Sequence, residues 1–225
     1  MTQRITWIRS ALVVALVATL AACSTGGGAS PTAGASGSAA ASGAASCPTS
    51  QPAALAAGQT RTVTIATDLG SMVIKVSADL SPIAAGNFVA LASCGYYDSV
   101  VFHRVVPGFV IQGGDGQFGR APALDRNRIG QGGPGYTIKD EPVTATYKRG
   151  VVAMARTSDP NSQGSQFFIV VNDGAVGALA AANTYAIIGT VTSGMDVADN
   201  IVAAAAGVEI PANPVVMTHV SVSTP

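Results

Sequence analysis

From Gln59 to the C-terminus the chain offers many short β-type runs and only two stretches that signal a helix, an imbalance that leaves few folds open. Val63 and Ile65 alternate with threonines, Asp68, Leu69, Gly70 and Ser71 supply turn chemistry, and Met72, Ile74 and Val76 alternate again. This pattern predicts a β-hairpin, because a period of two places every second side chain on one buried face. Further β-rich runs occupy 100–112, 151–155, 166–171 and 185–191, and an alternating segment from Pro214 to Val222 closes the chain. The first helix is predicted from Ser81 as N-cap, with Pro82 at the first helical position, to about Ser93, where Gly95 stops it. A second helix is predicted after the capping-box-like SGMD at 193–196, with Val197, Ile201 and Val202 as its apolar stripe. A parallel sheet would need helices between most of its strands. The expected fold is all-β, an antiparallel barrel or sandwich with two helices covering its open ends.

Composition shifts ahead of Gln59. Residues 24–58 are mostly Ala, Ser, Gly, Thr and Pro without hydrophobic periodicity. Such a segment buries too little apolar surface to offset the entropy of ordering it. It reads as a flexible tether; if Cys47 is pinned, the free part reaches roughly 25–30 Å. In front of it, Arg4 and Arg9 precede an uncharged stretch over 10–22. That stretch is too short to span a hydrocarbon core of ~30 Å. A short buried helix is one reading, but the positive start, apolar middle and small-residue end fit a secretory signal better. The LAAC at 20–23 resembles the lipobox of bacterial lipoproteins. That resemblance implies cleavage before Cys23 and an anchor of diacylglyceryl and palmitate there, since paired acyl chains hold stably where one binds marginally. The expected organisation is a signal peptide at 1–22, a lipidated Cys23 and linker over 23–58, and one domain over 59–225, extracytoplasmic and lipid-anchored to the bacterial cell membrane.

With Cys23 taken by lipid, Cys47 and Cys94 remain in an oxidising compartment, where they are expected to pair; two unpaired thiols are the alternative. Loss of 1–22 removes two bases and leaves ten against twelve acids, a net charge of −2. No basic stripe survives, so the chain lacks the electrostatic footprint of a nucleic-acid binder.

The usual catalytic constellations find little support. His103 and His219 share no metal-ligand spacing with each other or with a cysteine, so no metal site is expected. His103 reads as a packing residue. Residues 114–119 match G-x-G-x-x-G, but RAPALDR follows rather than an apolar-periodic helix, so a glycine-rich loop is the better reading and no cofactor is expected.

The informative stretch is FHRVVPGFVIQGGD at 102–115, which closely resembles the signature of cyclophilins. GSQFFI at 164–169 resembles their second signature at the right distance, and GGPGY at 132–136, Asp140-Glu141, 150–155 and Ile188-Gly189 follow in the family's order. The resemblance covers roughly 60–223. It implies an eight-stranded antiparallel β-barrel capped by two helices and a peptidyl-prolyl cis-trans isomerase acting on proline-containing, unfolded or flexible polypeptides as a monomer. By the same resemblance Arg104 is the catalytic guanidinium, Phe109, Val110 and Phe168 line the proline pocket, and Gln112 binds the substrate backbone. Ala155 and Gln166 fall on groove positions.

Elementary chemistry is consistent with those roles. Rotation about an X–Pro bond faces about 18–20 kcal/mol because resonance makes the C–N bond partly double. No covalent bond to the substrate is broken, so the task is selective binding of the twisted amide. A permanently charged donor can bond groups that appear only during the twist.

The sequence departs from the family pattern at several points. Val110 stands where methionine is usual, and Arg156 replaces a small amide beside Ala155. VGALAAA at 176–182 replaces the Trp-Leu-Asp-Gly element, so the tryptophan position falls near Leu179 or Ala180. Tyr185 sits where many members carry histidine, and 117–131 looks expanded. The sole tryptophan, Trp7, lies in the signal. Weak cyclosporin binding with retained isomerase activity is therefore expected. The alternative function is a proline-peptide-binding holdase of low activity, suggested by the altered 176–185 stretch.

Overall fold

The alternation of the first strands folds as a hairpin. β1 (Thr60–Thr67) pairs antiparallel with β2 (Gly70–Ser77), burying Val63, Ile65, Met72, Ile74 and Val76. The computed structural model describes residues 46–224. After the hairpin come α1 (Pro82–Ser93), β3 (Arg104–Val106), β4 (Val110–Gly113), β5 (Val151–Met154) and β6 (Phe167–Val170). They are followed by α2 (Val176–Ala182), β7 (Ile187–Ser193), α3 (Met195–Ala204) and β8 (Met217–Ser223). The strands form one eight-stranded antiparallel sheet in the order β3-β4-β6-β5-β7-β2-β1-β8. Its two edges meet at their leading ends: Met217 N–H donates to Val100 O at 2.8 Å and Phe102 N–H to Val215 O at 2.9 Å. The sheet curls into the expected barrel.

The run at 100–112 divides into two strands because Pro107 offers no amide hydrogen and Gly108 takes φ +74°. β5 and β6 are buried along their whole length. Their inward side chains, including Val152, Met154, Phe167 and Ile169, join the main core with Val105 and Ile111. The outward ones, Ala153, Phe168 and Val170, join a second apolar cluster with Val110, Tyr147, Leu179 and Ile187. That explains the unbroken apolar runs VVAM and FFIV, since a strand covered on both faces has no polar alternate. Phe88 of α1 meets Phe167 edge-on, with ring centroids 5.1 Å apart, and fastens the helix to the barrel.

Helix termini differ from the sequence reading in how they are satisfied. Ser81 is the N-cap of α1 but makes no capping bond; its buried Oγ has no partner. The carboxylate of Glu141 accepts instead from Ile83 N–H and Ala84 N–H, both at 2.8 Å, leaving Pro82 with no amide to satisfy. At α3 the capping box fails, because Ser193 is the last residue of β7, paired with Val73, while Gly194 is the N-cap at φ +87°. A third short helix, α2, adds to the two expected, in the stretch that replaces the tryptophan element.

The expected linker also ends earlier than 58. Cys47 and Cys94 are disulfide-bonded. Gln51 Oε1 accepts from Lys139 N–H at 2.9 Å, and Leu55 N–H donates to Pro82 O at 2.9 Å. The strap passes so close to α1 that a side chain on Gly86 would collide with Ala53 O. Composition hid this, since backbone hydrogen bonds and a disulfide hold the strap, with Leu55 its one large apolar contact. Cys23, the signal over 1–22 and the linker up to 45 lie outside the described residues.

Candidate active site

Cross-strand register gathers the site. Arg104 pairs with Gln112 between β3 and β4, Gln112 with Phe168 between β4 and β6, and Phe168 with Ala153 between β6 and β5. Residues directly opposite on neighbouring antiparallel strands point to the same face. A cation, an amide and a phenyl ring therefore stand in one row on the outer face. The next row, Val106, Val110 and Val170, is apolar. The neighbouring inward row, Val105, Ile111, Ile169 and Val152, anchors the strands in the core.

Above this face lies a cavity of about 210 Å³ lined by Arg104, Phe109, Val110, Gln112, Ala155, Arg156, Phe168, Leu179 and Tyr185. Eight of the nine positions named from the sequence for catalysis and substrate binding line it, and Gln166 touches it through Gln112. Phe168 is buried and Tyr185 stacks on it edge-on, with centroids 5.3 Å apart. Tyr185 is itself held by Tyr147, whose hydroxyl donates to Tyr185 O at 2.9 Å. Of the two positions open for the tryptophan, Leu179 turns inward and is buried, whereas Ala180 is exposed. One turn of α2 thus places an aliphatic wall near the position at which the family pattern carries an indole, without an indole's N–H.

A chain of amides orients Gln112. Gln166 Nε2 donates to Gly130 O and Gly132 O, both at 2.8 Å, so its Oε1 accepts from Gln112 Nε2 at 2.9 Å. With its amide nitrogen so engaged, Gln112 keeps its carbonyl oxygen as an acceptor on a side chain that lines the groove. The two glycine carbonyls are placed by Asp115, fully buried, whose carboxylate accepts from the amides of Gln117, Phe118, Gly130 and Gly132. The glycine-rich stretch at 114–119 is thus a turn wrapped around a carboxylate, and the expanded 117–131 loop is pinned at both ends.

A larger cavity of about 400 Å³ adjoins the first and shares Gln112, Ala155 and Arg156 with it. Arg156 is the partition. Its guanidinium bonds Asp140 Oδ2 at 3.0 Å, Asp159 O at 2.8 Å and Thr157 O at 3.1 Å, so every nitrogen is engaged and the side chain acts as a wall. Arg104 differs. Its Nε donates to Glu209 Oε1 at 2.6 Å, and among the described residues its terminal nitrogens have no partner. His103, next in sequence, is buried with neither ring nitrogen hydrogen-bonded, and burial lowers its pKa to about 4. It is a neutral packing residue, as read from the sequence.

Sequence reasoning missed Arg156 as a wall, Glu209 as the partner of Arg104 and Glu141 as the cap of α1. Arg156 carried a signal in its position beside Ala155. The two glutamates carried none, since each reaches its partner across more than fifty residues of chain.

The chain is similar to known proteins over this same region. A family model described as cyclophilin type peptidyl-prolyl cis-trans isomerase matches residues 62–222. A probable peptidyl-prolyl cis-trans isomerase of Brucella abortus (strain 2308) is 38% identical over 150 residues, 66% of this chain and 74% of the relative. Peptidyl-prolyl cis-trans isomerase A of Dickeya dadantii (strain 3937) is 34% identical over 155 residues, 68% of this chain and 77% of the relative. Among solved structures, a Cryptosporidium parvum cyclophilin type peptidyl-prolyl cis-trans isomerase superposes with a TM-score of 0.62 at 26% identity, covering 74% of this chain and 99% of the other. A crystal structure of that protein in the presence of the dipeptide Ala-Pro gives 0.61 at 27% identity, covering 73% of this chain and 99% of the other.

Proposed function

The chain belongs to the cyclophilin-type peptidyl-prolyl cis-trans isomerases, and on that premise we propose how its groove performs the isomerisation, on which polypeptides and where. It acts on X–Pro bonds of unfolded or flexible extracytoplasmic polypeptides, as a monomer held at the outer face of a bacterial membrane through a lipidated Cys23. The observation that carries the mechanism is the single row of Arg104, Gln112 and Phe168 on one strand face, opening into one cavity that Phe109, Val110 and Leu179 also line.

Phe109, Val110, Phe168 and Leu179 hold the proline ring, while the carbonyl of Gln112 accepts the substrate's backbone N–H. The residue before proline then turns while the ring stays fixed. As the amide twists, its nitrogen loses resonance and gains a lone pair. The terminal nitrogens of Arg104 bond that lone pair and the swinging carbonyl, which favours the twisted state over both planar ones. Support for the peptide substrate comes from the Cryptosporidium relative solved in the presence of Ala-Pro. Support for the membrane location comes from the LAAC at 20–23 and from the disulfide, a bond that persists in oxidising compartments.

A protease-coupled isomerisation assay on the full chain tests the groove. Arg104→Ala is expected to lower kcat/KM about 10²-fold or more with the circular dichroism spectrum unchanged. An unchanged rate sinks the assignment. For the anchor, Cys23→Ala is expected to move the protein from the membrane fraction to the medium; unaltered fractionation counts against lipidation.

A further inference from the structure

We propose that Glu209 is a positioning residue of the isomerase groove: it takes the inner nitrogen of the Arg104 guanidinium and so aims the two terminal nitrogens at the substrate amide. Arg104 stands on a three-residue strand at the edge of the sheet, and its side chain is 36% exposed. A long cationic side chain there samples many rotamers, whereas recognition of a twisted amide needs one. Glu209 removes that freedom. Its carboxylate accepts from Arg104 Nε at 2.6 Å, a short charge-assisted hydrogen bond. Its backbone carbonyl accepts from Val105 N–H at 2.8 Å, so the glutamate is registered to the same strand as its partner, one residue on.

The connection that carries Glu209 is held as well. Arg126 of the expanded loop donates to Ala212 O at 2.5 Å, and Phe102 N–H donates to Val215 O. An ion pair this exposed contributes little to stability on its own. The geometry gives it another use. A carboxylate on the inner nitrogen leaves the fork's other donors free, whereas a carboxylate across the fork would compete with the substrate. Arg156, in the same cavity, has all its nitrogens engaged and no such freedom. The signal in the chain is minimal, a lone acid between Val208 and Ile210, both exposed.

This inference rests on the isomerase reading of the groove, and the test separates the two. In the full chain, Glu209→Ala is expected to lower kcat/KM about three- to tenfold, with the loss in kcat and KM within twofold. Glu209→Gln, whose amide oxygen still accepts from Nε, recovers part of it. Combined with Arg104→Ala, the Glu209→Ala substitution has no further effect. The Arg104 Nε–H resonance, resolved in the native protein by ¹⁵N–¹H spectroscopy, broadens or shifts in Glu209→Ala. Unchanged kcat in a folded Glu209→Ala, an equal loss in both backgrounds, or an unmoved resonance overturns the proposal; should that variant not fold, Glu209→Gln with unchanged kcat and resonance does so. If instead the native chain shows no isomerase activity, the functional reading fails, and the resonance still reports on the Glu209 contact.

Discussion

At the residue scale, two buried groups answer to opposite rules. His103 is 4% exposed, and burial lowers its pKa to about 4 from the usual 6.5. Between those values the unfolded chain takes up a proton that the folded chain refuses. Stability due to this group is therefore complete above pH 6.5 and is lost as the pH falls toward 4, by roughly 3 kcal/mol in all. Denaturant unfolding of His103→Gln beside the native protein checks this: the substitution should flatten the pH dependence across that window, and parallel curves would refute it. Leu179 gives a second expectation. Of the two positions offered for the tryptophan, it is the one that lines the cavity, with a side chain that cannot donate a hydrogen bond. Calorimetric titration with cyclosporin should find no sub-micromolar binding, while the proline assay still reads activity.

At the scale of elements, α1 shows a sequence signal and its structural use coming apart. Ser-Pro marks the start of the helix correctly, yet the Ser81 hydroxyl is buried without a partner, and Glu141, distant in sequence, caps the first turn. Two amide bonds to a carboxylate at the positive end of the helix dipole are worth about 1–2 kcal/mol. Glu141→Ala should thus lower Tm measurably, and Ser81→Ala should be neutral or slightly stabilising, since removing an unsatisfied buried hydroxyl costs no bond. The reverse order in thermal melts would mean the serine caps the helix in solution. α2 makes a related point. Its seven residues include no side-chain cap, and its one buried residue, Leu179, joins Phe168 and Val110 in the outer apolar cluster, so packing rather than a local sequence signal supports the helix.

At the scale of the whole molecule, the disulfide ties the strap at 46–58 to the far end of α1 across 47 residues of chain. Loop-closure theory gives an upper value of about 4 kcal/mol for a loop of that length. Cys47→Ser is expected to lower Tm clearly and leave kcat/KM unaltered, because neither cysteine borders the groove; a drop in activity at a temperature where the variant is folded would show coupling between strap and groove. Most of the barrel was legible in the chain. Period-two runs name the faces of β1 and β2, and unbroken apolar runs mark strands covered on both sides, because burial of apolar surface acts residue by residue. The eight lining positions, four of them in the motif at 102–115 and four beyond it, could be named because the chain resembles the cyclophilins, and the hairpin's register sets which of the first four share a face. What the chain alone could not determine were the partners brought in from afar: Glu209 on Arg104, Glu141 on α1, the carbonyls of Gly130 and Gly132 on Gln166, and the choice of Leu179 over Ala180. All but the last are contacts made by polar atoms across closed loops, none leaves a periodicity behind, and only the folded barrel sets the distances on which they depend.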